Sequence, residues 1–145
     1  MNALLDAIPD KIGIAFGLFA GFLSWLLGGF SVPLIWLFLF VVVDYTTGIA
    51  AAIKLGEMNS KTGFIGILKK VLIFGVVAFC HGIDEICKIE ILRNAAIVAY
   101  GINEALSILE NVARLGLEPL IPPFIRRALK TLKAKAESDI EKKTK

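Results

Sequence analysis

The stretch from Asp44 to Lys70 constrains the fold more than any other, because it joins two long apolar runs and yet carries charge inside both. It has a carboxylate within the first run, a short polar turn, and two adjacent lysines within the second run. In a bilayer this pattern indicates a helical hairpin whose turn lies at one membrane face, since backbone groups in hydrocarbon must be bonded within helices. The carboxylate then requires a partner.

The composition supports a membrane setting. Apolar side chains make up 57% of the 145 residues, and the mean hydropathy is +0.75. Soluble domains contain about 45–50% apolar residues. We therefore predict an all-α integral membrane protein, a small bundle of about four transmembrane helices with three as the alternative. The predicted membrane domain covers residues 1–123, and a basic cytoplasmic tail covers residues 124–145.

Four apolar runs are long enough to cross a hydrocarbon core of about 30 Å. The predicted spans cover residues 12–30, 32–53, 63–83 and 89–109, with a polar loop over residues 84–88. The last run has a polar stripe at helical spacing, formed by Asn103, Glu104, Ser107 and Asn111. Such a helix lines water, packs its stripe against another helix, or lies in the interface plane. We favour a fourth span.

A side-chain-poor face is predicted on the first helix. Gly13, Gly17 and Gly21 recur at every fourth residue. Helices in lipid approach closely through such faces, because packing rather than hydrophobicity drives their association. The pattern predicts a helix-packing face, either within the chain or between copies of it.

Asp44 is the single charge inside the second run, and Thr47 and Gly48 continue the same helix side. Two interpretations are open. The carboxylate lines an assembly interface or a wetted lumen together with the polar stripe. Alternatively, it forms an internal ion pair with a basic residue, for which the candidates are Lys69, Lys70 and Arg93.

The distribution of basic residues predicts the orientation. The loop over residues 54–62 carries two lysines, and Asn59 and Ser60 are candidate caps for the following helix. Residues 126–145 contain eight basic and three acidic side chains. Both regions are expected in the cytoplasm under the positive-inside rule, which favours an even number of spans and a cytoplasmic N-terminus.

Lys69 and Lys70 are expected to reach towards the headgroups on the loop side. The tail begins as an amphipathic helix suited to an anionic membrane surface, with basic residues Arg126, Arg127, Lys130 and Lys133.

Several short motifs carry a resemblance to a known family. They are DYTTG at 44–48, AIKLG at 52–56, SKTG at 60–63, GILKK at 66–70 and NEALSILEN at 103–111 followed by RLG. With these motifs the chain resembles the phage-lysis and toxin-secretion holin family, from about residue 44 to residue 122. The motif loop includes Ser60, Lys61, Lys69 and Lys70.

The resemblance implies a holin of the bacterial cytoplasmic membrane that oligomerises into lesions and causes timed lysis. Its implied partners are other copies of itself and the bilayer, with an endolysin or a toxin as a passenger and an antiholin as a regulator. A small ion channel or transporter subunit that uses Asp44 and Glu104 is the alternative, as is an antiholin.

We expect no enzyme, cofactor or metal, because no nucleophile–base or metal constellation is present. No nucleic-acid recognition module accompanies the basic tail. Cys80 and Cys87 are interpreted as membrane-buried hydrophobes.

Overall fold

The computed structural model describes the backbone of residues 2–143 and the side chains of residues 11–61, 63–135 and 138. Every regular element in this part of the chain is helical, as predicted. The order is α1 (Asn2–Leu26), α2 (Val32–Lys54), α3 (Ser60–Cys87), α4 (Leu92–Arg114), a short 3₁₀ helix (Glu118–Leu120) and α5 (Pro123–Lys143).

Glycine and a side-chain cap fix the boundaries of the first two turns. Gly28 and Gly29 have φ angles of 73° and 86°, which only glycine adopts readily, so α1 ends at Leu26. The predicted span to residue 30 was therefore too long. At the other turn the Asn59 side chain accepts a hydrogen bond of 2.9 Å from the Lys61 amide, which confirms the predicted cap of α3.

The junction between α3 and α4 differs from the prediction. The expected polar loop over residues 84–88 is mostly helix, because α3 continues to Cys87 and ends at Lys88 in the left-handed conformation. The Asp84 carboxylate then accepts hydrogen bonds from the amides of Leu92 at 3.0 Å and Arg93 at 2.9 Å. Asp84 thus caps α4 across the turn, and α4 begins at Leu92 rather than at residue 89.

The bundle is organised around α4. This helix packs along α2 and along α3, whereas α2 and α3 contact each other only slightly. Helix α5 folds back against α4, and α1 contacts α3 alone among the described helices. The predicted tail is therefore a helix that packs on the bundle.

The apolar core occupies the half of the bundle nearest the α1–α2 turn. Helix α2 contributes half of its members, and single residues come from the α1–α2 turn, α3 and α4; the members are Leu27, Leu34, Leu37, Val41, Val77 and Ile97. Large apolar side chains on α1, α2 and α3 point outward, among them Phe16, Phe38, Phe64 and Phe79. Exposed apolar faces of this extent are contact surfaces for lipid or protein.

Fewer helices in the described part of the chain are strongly apolar than the four spans expected. Among the described residues, only Val32–Lys54 and Gly63–Cys87 are long and apolar enough to cross a membrane. Within the residues whose side chains are described, α1 contributes the shorter apolar helix Lys11–Leu26. Helix α4 does not qualify, since charged residues such as Arg93 and Glu104 interrupt its apolar sequence.

Candidate functional site

Three helices each contribute one charged residue to a buried cluster, which we call the ion triad: Asp44 of α2, Lys70 of α3 and Glu104 of α4. Lys70 Nζ lies 2.5 Å from Asp44 Oδ2 and also donates to Glu104 Oε2. Both carboxylate side chains are 8% exposed, while the lysine side chain is 19% exposed. Lys70 therefore does not reach towards the headgroups as expected. It is the partner of Asp44.

Asn111 completes the hydrogen bonding of Asp44. Its side-chain amide donates to Asp44 Oδ1 at 2.9 Å and to the Asp44 carbonyl at 3.2 Å. The same amide lies 3.3 Å from Thr47 Oγ1, which donates to the Val43 carbonyl at 2.8 Å. Both carboxylate oxygens of Asp44 are thus bonded, as a buried charge requires.

Close packing makes this arrangement possible. Gly48 lies one turn after Asp44, and a Cβ atom there would be 3.4 Å from Asn111 Nδ2. Ala51, one further turn on, is fully buried. The small side of α2 thus packs against the polar stripe of α4.

The predicted polar stripe divides into two parts. Glu104 and Asn111 are buried, and Ser107 is half-buried between them on the same side of α4. Asn103 is exposed on a different side, because one residue corresponds to a rotation of about 100° around a helix. The structure therefore brings Asp44, Glu104, Ser107 and Asn111 together and leaves Asn103 apart.

Contacts at each end hold the turns in place. Next to the α2–α3 loop, Arg114 lies 2.5 Å from Glu57, and Lys54 donates to the Leu115 carbonyl. At the opposite end, Arg93 donates to the Leu27 carbonyl at 2.6 Å and to the Gly29 carbonyl at 2.8 Å. The ends of α2 and α4 thus lie together at one end of the bundle, and their starts lie together at the other. Helices α2 and α4 therefore run in the same direction, and α3 runs in the opposite direction.

A cleft of about 750 Å³, lined by both polar and apolar side chains, lies between α2 and α3, with α4 as its floor. It extends from the loop residues Glu57, Asn59 and Ser60 down to Asp44 and Lys70. Of the predicted loop residues, Ser60 and Lys69 line it, and Lys61 is exposed at the start of α3. The cleft connects one end of the bundle with the ion triad.

The predicted glycine face has no partner within the described part of the chain. A Cβ atom added at Gly13, Gly17 or Gly21 would meet no described atom within 4 Å. Gly21 lines a second cleft of about 860 Å³ between α1 and α3. The face is open to another molecule, and self-association through it stays a prediction.

The basic residues of the predicted tail lie on the first turns of α5. Arg127 and Lys130 are exposed, whereas Arg126 and Lys133 are partly covered. Arg126 lies 3.5 Å from Glu118 of the 3₁₀ helix. The exposed cations are available to a negatively charged surface.

The roles of Asp84 and Arg93 do not follow from the sequence. The sequence predicts a polar loop at Asp84 and offers Arg93 only as a possible partner for Asp44. An acidic residue eight positions before the start of a helix gives no local capping signal. Its carboxylate reaches the first amides of that helix only because the intervening turn brings the two together. Similarly, the carbonyl groups that Arg93 binds lie more than sixty residues away in the chain.

The fold and the site define a small helical protein in which two described helices are long and apolar enough to cross a membrane and buried charges join three helices. The sequence profile of the bacteriophage holin family matches residues 21–134. The chain therefore belongs to the bacteriophage holin family, which indicates a non-enzymatic membrane protein.

Individual relatives agree with this assignment. The chain is 41% identical to an uncharacterised protein of Halalkalibacterium halodurans, over 79% of this chain and 87% of the relative. It is 39% identical to an uncharacterised protein of Listeria innocua, over 91% of this chain and 92% of the relative. A probable holin of Bacillus phage phi105 is 36% identical over 71% of this chain and 73% of its own length. No solved structure matches the chain.

Proposed function

We propose that this protein is a holin that oligomerises in the bacterial cytoplasmic membrane and forms lesions through which a cytoplasmic endolysin, or a toxin, leaves the cell. The observation that carries the proposal is the match of the bacteriophage holin family over residues 21–134. The similarity to a probable phage holin supports the same role.

In this proposal all four helices α1–α4 cross the membrane, with the α2–α3 loop and α5 in the cytoplasm. The end contacts support the alternating directions, since Arg114 meets Glu57 at one end and Arg93 meets the α1–α2 turn at the other. Helix α4 tolerates its polar residues because Glu104 and Asn111 have partners inside the bundle. Helix α1 has 25 residues, which correspond to about 37 Å at about 1.5 Å per residue.

The proposed lesion forms when copies associate and expose their polar interiors to one another. The open glycine face of α1 provides a surface for close helix contact. Asp44, Glu104 and Asn111 are buried in the single copy. After assembly these side chains line a hydrated opening, where charged groups are favourable.

Expression in bacteria that also produce a cytoplasmic endolysin without an export signal tests the function. We expect abrupt lysis after a delay, with no lysis when either protein is produced alone. Slow growth inhibition without endolysin-dependent lysis would contradict the proposal and indicate a small channel or transporter subunit. A chain that accumulates in the membrane, causes no lysis and delays lysis by a second holin would be an antiholin.

A further inference from the structure

The cleft between α2 and α3 carries polar side chains at several depths, among apolar wall residues such as Phe64 and Ile67. Its mouth is formed by Glu57, Asn59 and Ser60 at the α2–α3 loop. Its floor carries Ser107 and Asn111 of α4, and it reaches Asp44 and Lys70 of the ion triad. Hydrogen-bonding groups are therefore present from one end of the bundle to the triad.

The ion triad lies at one level in the middle of the bundle. Asp44, Lys70 and Glu104 are each ten residues from the helix end at the mouth of the cleft, at Lys54, Ser60 and Arg114 respectively. Ten residues correspond to about 15 Å along a helix at about 1.5 Å per residue. This is about half of a hydrocarbon core of about 30 Å.

Lys70, whose side chain is 19% exposed, lines this cleft. Since α2 and α3 contact each other only slightly, the cleft also has an open side between them. A charged group against hydrocarbon costs about 2.5–3.5 kcal/mol on insertion scales, and such groups in membrane helices face the bundle interior or water. The cleft contains several hydrogen-bonding groups and is large enough at about 750 Å³ to hold water.

The opposite half of the bundle is closed by the apolar seal, which consists of Leu34, Leu37, Val41, Val77 and Ile97. Four of these five side chains are at most 3% exposed, and Val41 is 6% exposed. They come from α2, α3 and α4, the same helices that carry the ion triad. Water that reaches the triad thus meets a packed apolar layer beyond it.

We propose that each single copy contains a one-ended aqueous vestibule, which admits water and small polar solutes from the α2–α3 loop side and ends at the ion triad. The inference deepens the proposed function and rests on its membrane insertion, but it does not require lysis. The vestibule hydrates the triad before assembly. The apolar seal is then the barrier that separates the two sides in a single copy.

Cysteine labelling with a charged, membrane-impermeant thiol reagent tests the vestibule. The full chain with Cys80→Ser and Cys87→Ser provides a background without other thiols. Ile67 and Leu68 form a matched pair at the same depth, since they are 47% and 48% exposed in the single chain but only Ile67 lines the cleft. Ile49, which lines the cleft, and the exposed Ala50 form a second pair on α2.

We expect Ile67→Cys and Ile49→Cys to react at least tenfold faster than Leu68→Cys and Ala50→Cys. The reaction should occur in inverted vesicles, where the reagent contacts the cytoplasmic side. Ser107→Cys repeats the test on α4 with a small change of volume, in case an isoleucine variant fails to accumulate.

Equal labelling rates within each pair would overturn the vestibule. It would also be overturned if every cysteine were protected from the reagent in the membrane but reacted in the denatured chain. The latter result would mean that lipid or another copy fills the cleft. Reaction of the cleft positions only from the outer face of spheroplasts would support the vestibule but contradict the orientation in the proposed function. Failure of the vestibule with intact endolysin-dependent lysis would leave the holin role standing.

Discussion

Lys70 of α3 lies 2.5 Å from Asp44 of α2, although these two helices contact each other only slightly. The same ammonium group also bonds Glu104 of α4. One cation thereby connects the three helices that form the bundle core, at the middle of their length. Two carboxylates and one ammonium give the ion triad a formal charge of −1, so it depends on Lys70 more than on either acid.

Replacement of Lys70 by methionine should destabilise the chain strongly. Two buried carboxylates would then face each other without a cation, and breaking a buried ion pair costs about 3–5 kcal/mol. We expect lower accumulation in membranes and a lower thermal midpoint in detergent. Asp44→Asn and Glu104→Gln should each be milder, because one carboxylate stays paired with Lys70.

The neighbouring Lys69 provides the control for this experiment. Lys69→Met removes the same charge one residue away, at an exposed position on α3. Exposed substitutions of this kind change stability by about 0.5 kcal/mol or less. Equal effects of Lys69→Met and Lys70→Met would show that the ion triad does not stabilise the fold.

Neutralising the entire ion triad should restore much of the lost stability. The variant Asp44→Asn, Lys70→Met, Glu104→Gln retains the approximate volume of the three side chains and leaves no buried charge. Replacing complete buried ion pairs with neutral groups is often neutral or stabilising. We expect its thermal midpoint to lie well above that of Lys70→Met. A midpoint as low as that of Lys70→Met would mean that side-chain shape rather than charge pairing accounts for the loss.

Arg93 should stabilise the end of the bundle opposite the α2–α3 loop. Arg93→Met would leave the Leu27 and Gly29 carbonyl groups without this donor, and a buried unsatisfied acceptor costs about 1–3 kcal/mol. Arg93→Lys should recover only part of this, because lysine lacks the planar fork that reaches both carbonyls. The thermal midpoint in detergent measures the effect, with Arg127→Met on the exposed side of α5 as the control. Identical midpoints for the Arg93 and Arg127 variants would refute this role.

The glycine face of α1 should serve assembly rather than folding. A Cβ atom at Gly17 or Gly21 would meet no described atom of the same chain within 4 Å, so we expect the single copy to accumulate normally. Contact between copies through this face would be blocked, which should reduce chemical cross-linking between chains and delay lysis. Ala15→Leu, on the opposite side of α1, is the matched control. Lysis at the normal time by the Gly17→Leu, Gly21→Leu variant would contradict this role.

The sequence allowed much of the fold to be predicted, because hydropathy and turn residues are local signals. The helical class, the hairpin of α2 and α3, and the Asn59 cap all follow from neighbouring residues. The extension of α3 through Asp84 could not be predicted in this way, since the charges of that segment resemble a loop. Its helical conformation depends on tertiary contacts with the start of α4.

The candidate site was predictable as a set of polar residues but not as a geometry. Asp44 and the helical spacing of Glu104, Ser107 and Asn111 identified the residues that meet. Lys69, Lys70 and Arg93 were all candidate partners of Asp44. The choice between the two adjacent lysines depends on the rotation of α3 about its own axis, which the sequence leaves undetermined. Asn103 was grouped with the stripe because it is polar, although it lies one residue out of register.

Escape of a folded protein from the cytoplasm tests the central claim most directly. Cells that produce the chain and a cytoplasmic endolysin, osmotically protected so that they survive wall digestion, would be assayed for endolysin activity outside the membrane and for potassium release. We expect endolysin activity outside after a delay, together with potassium loss, and a longer delay with the Gly17→Leu, Gly21→Leu variant. Potassium loss with the endolysin still inside would contradict the account, because the membrane would then contain only small channels.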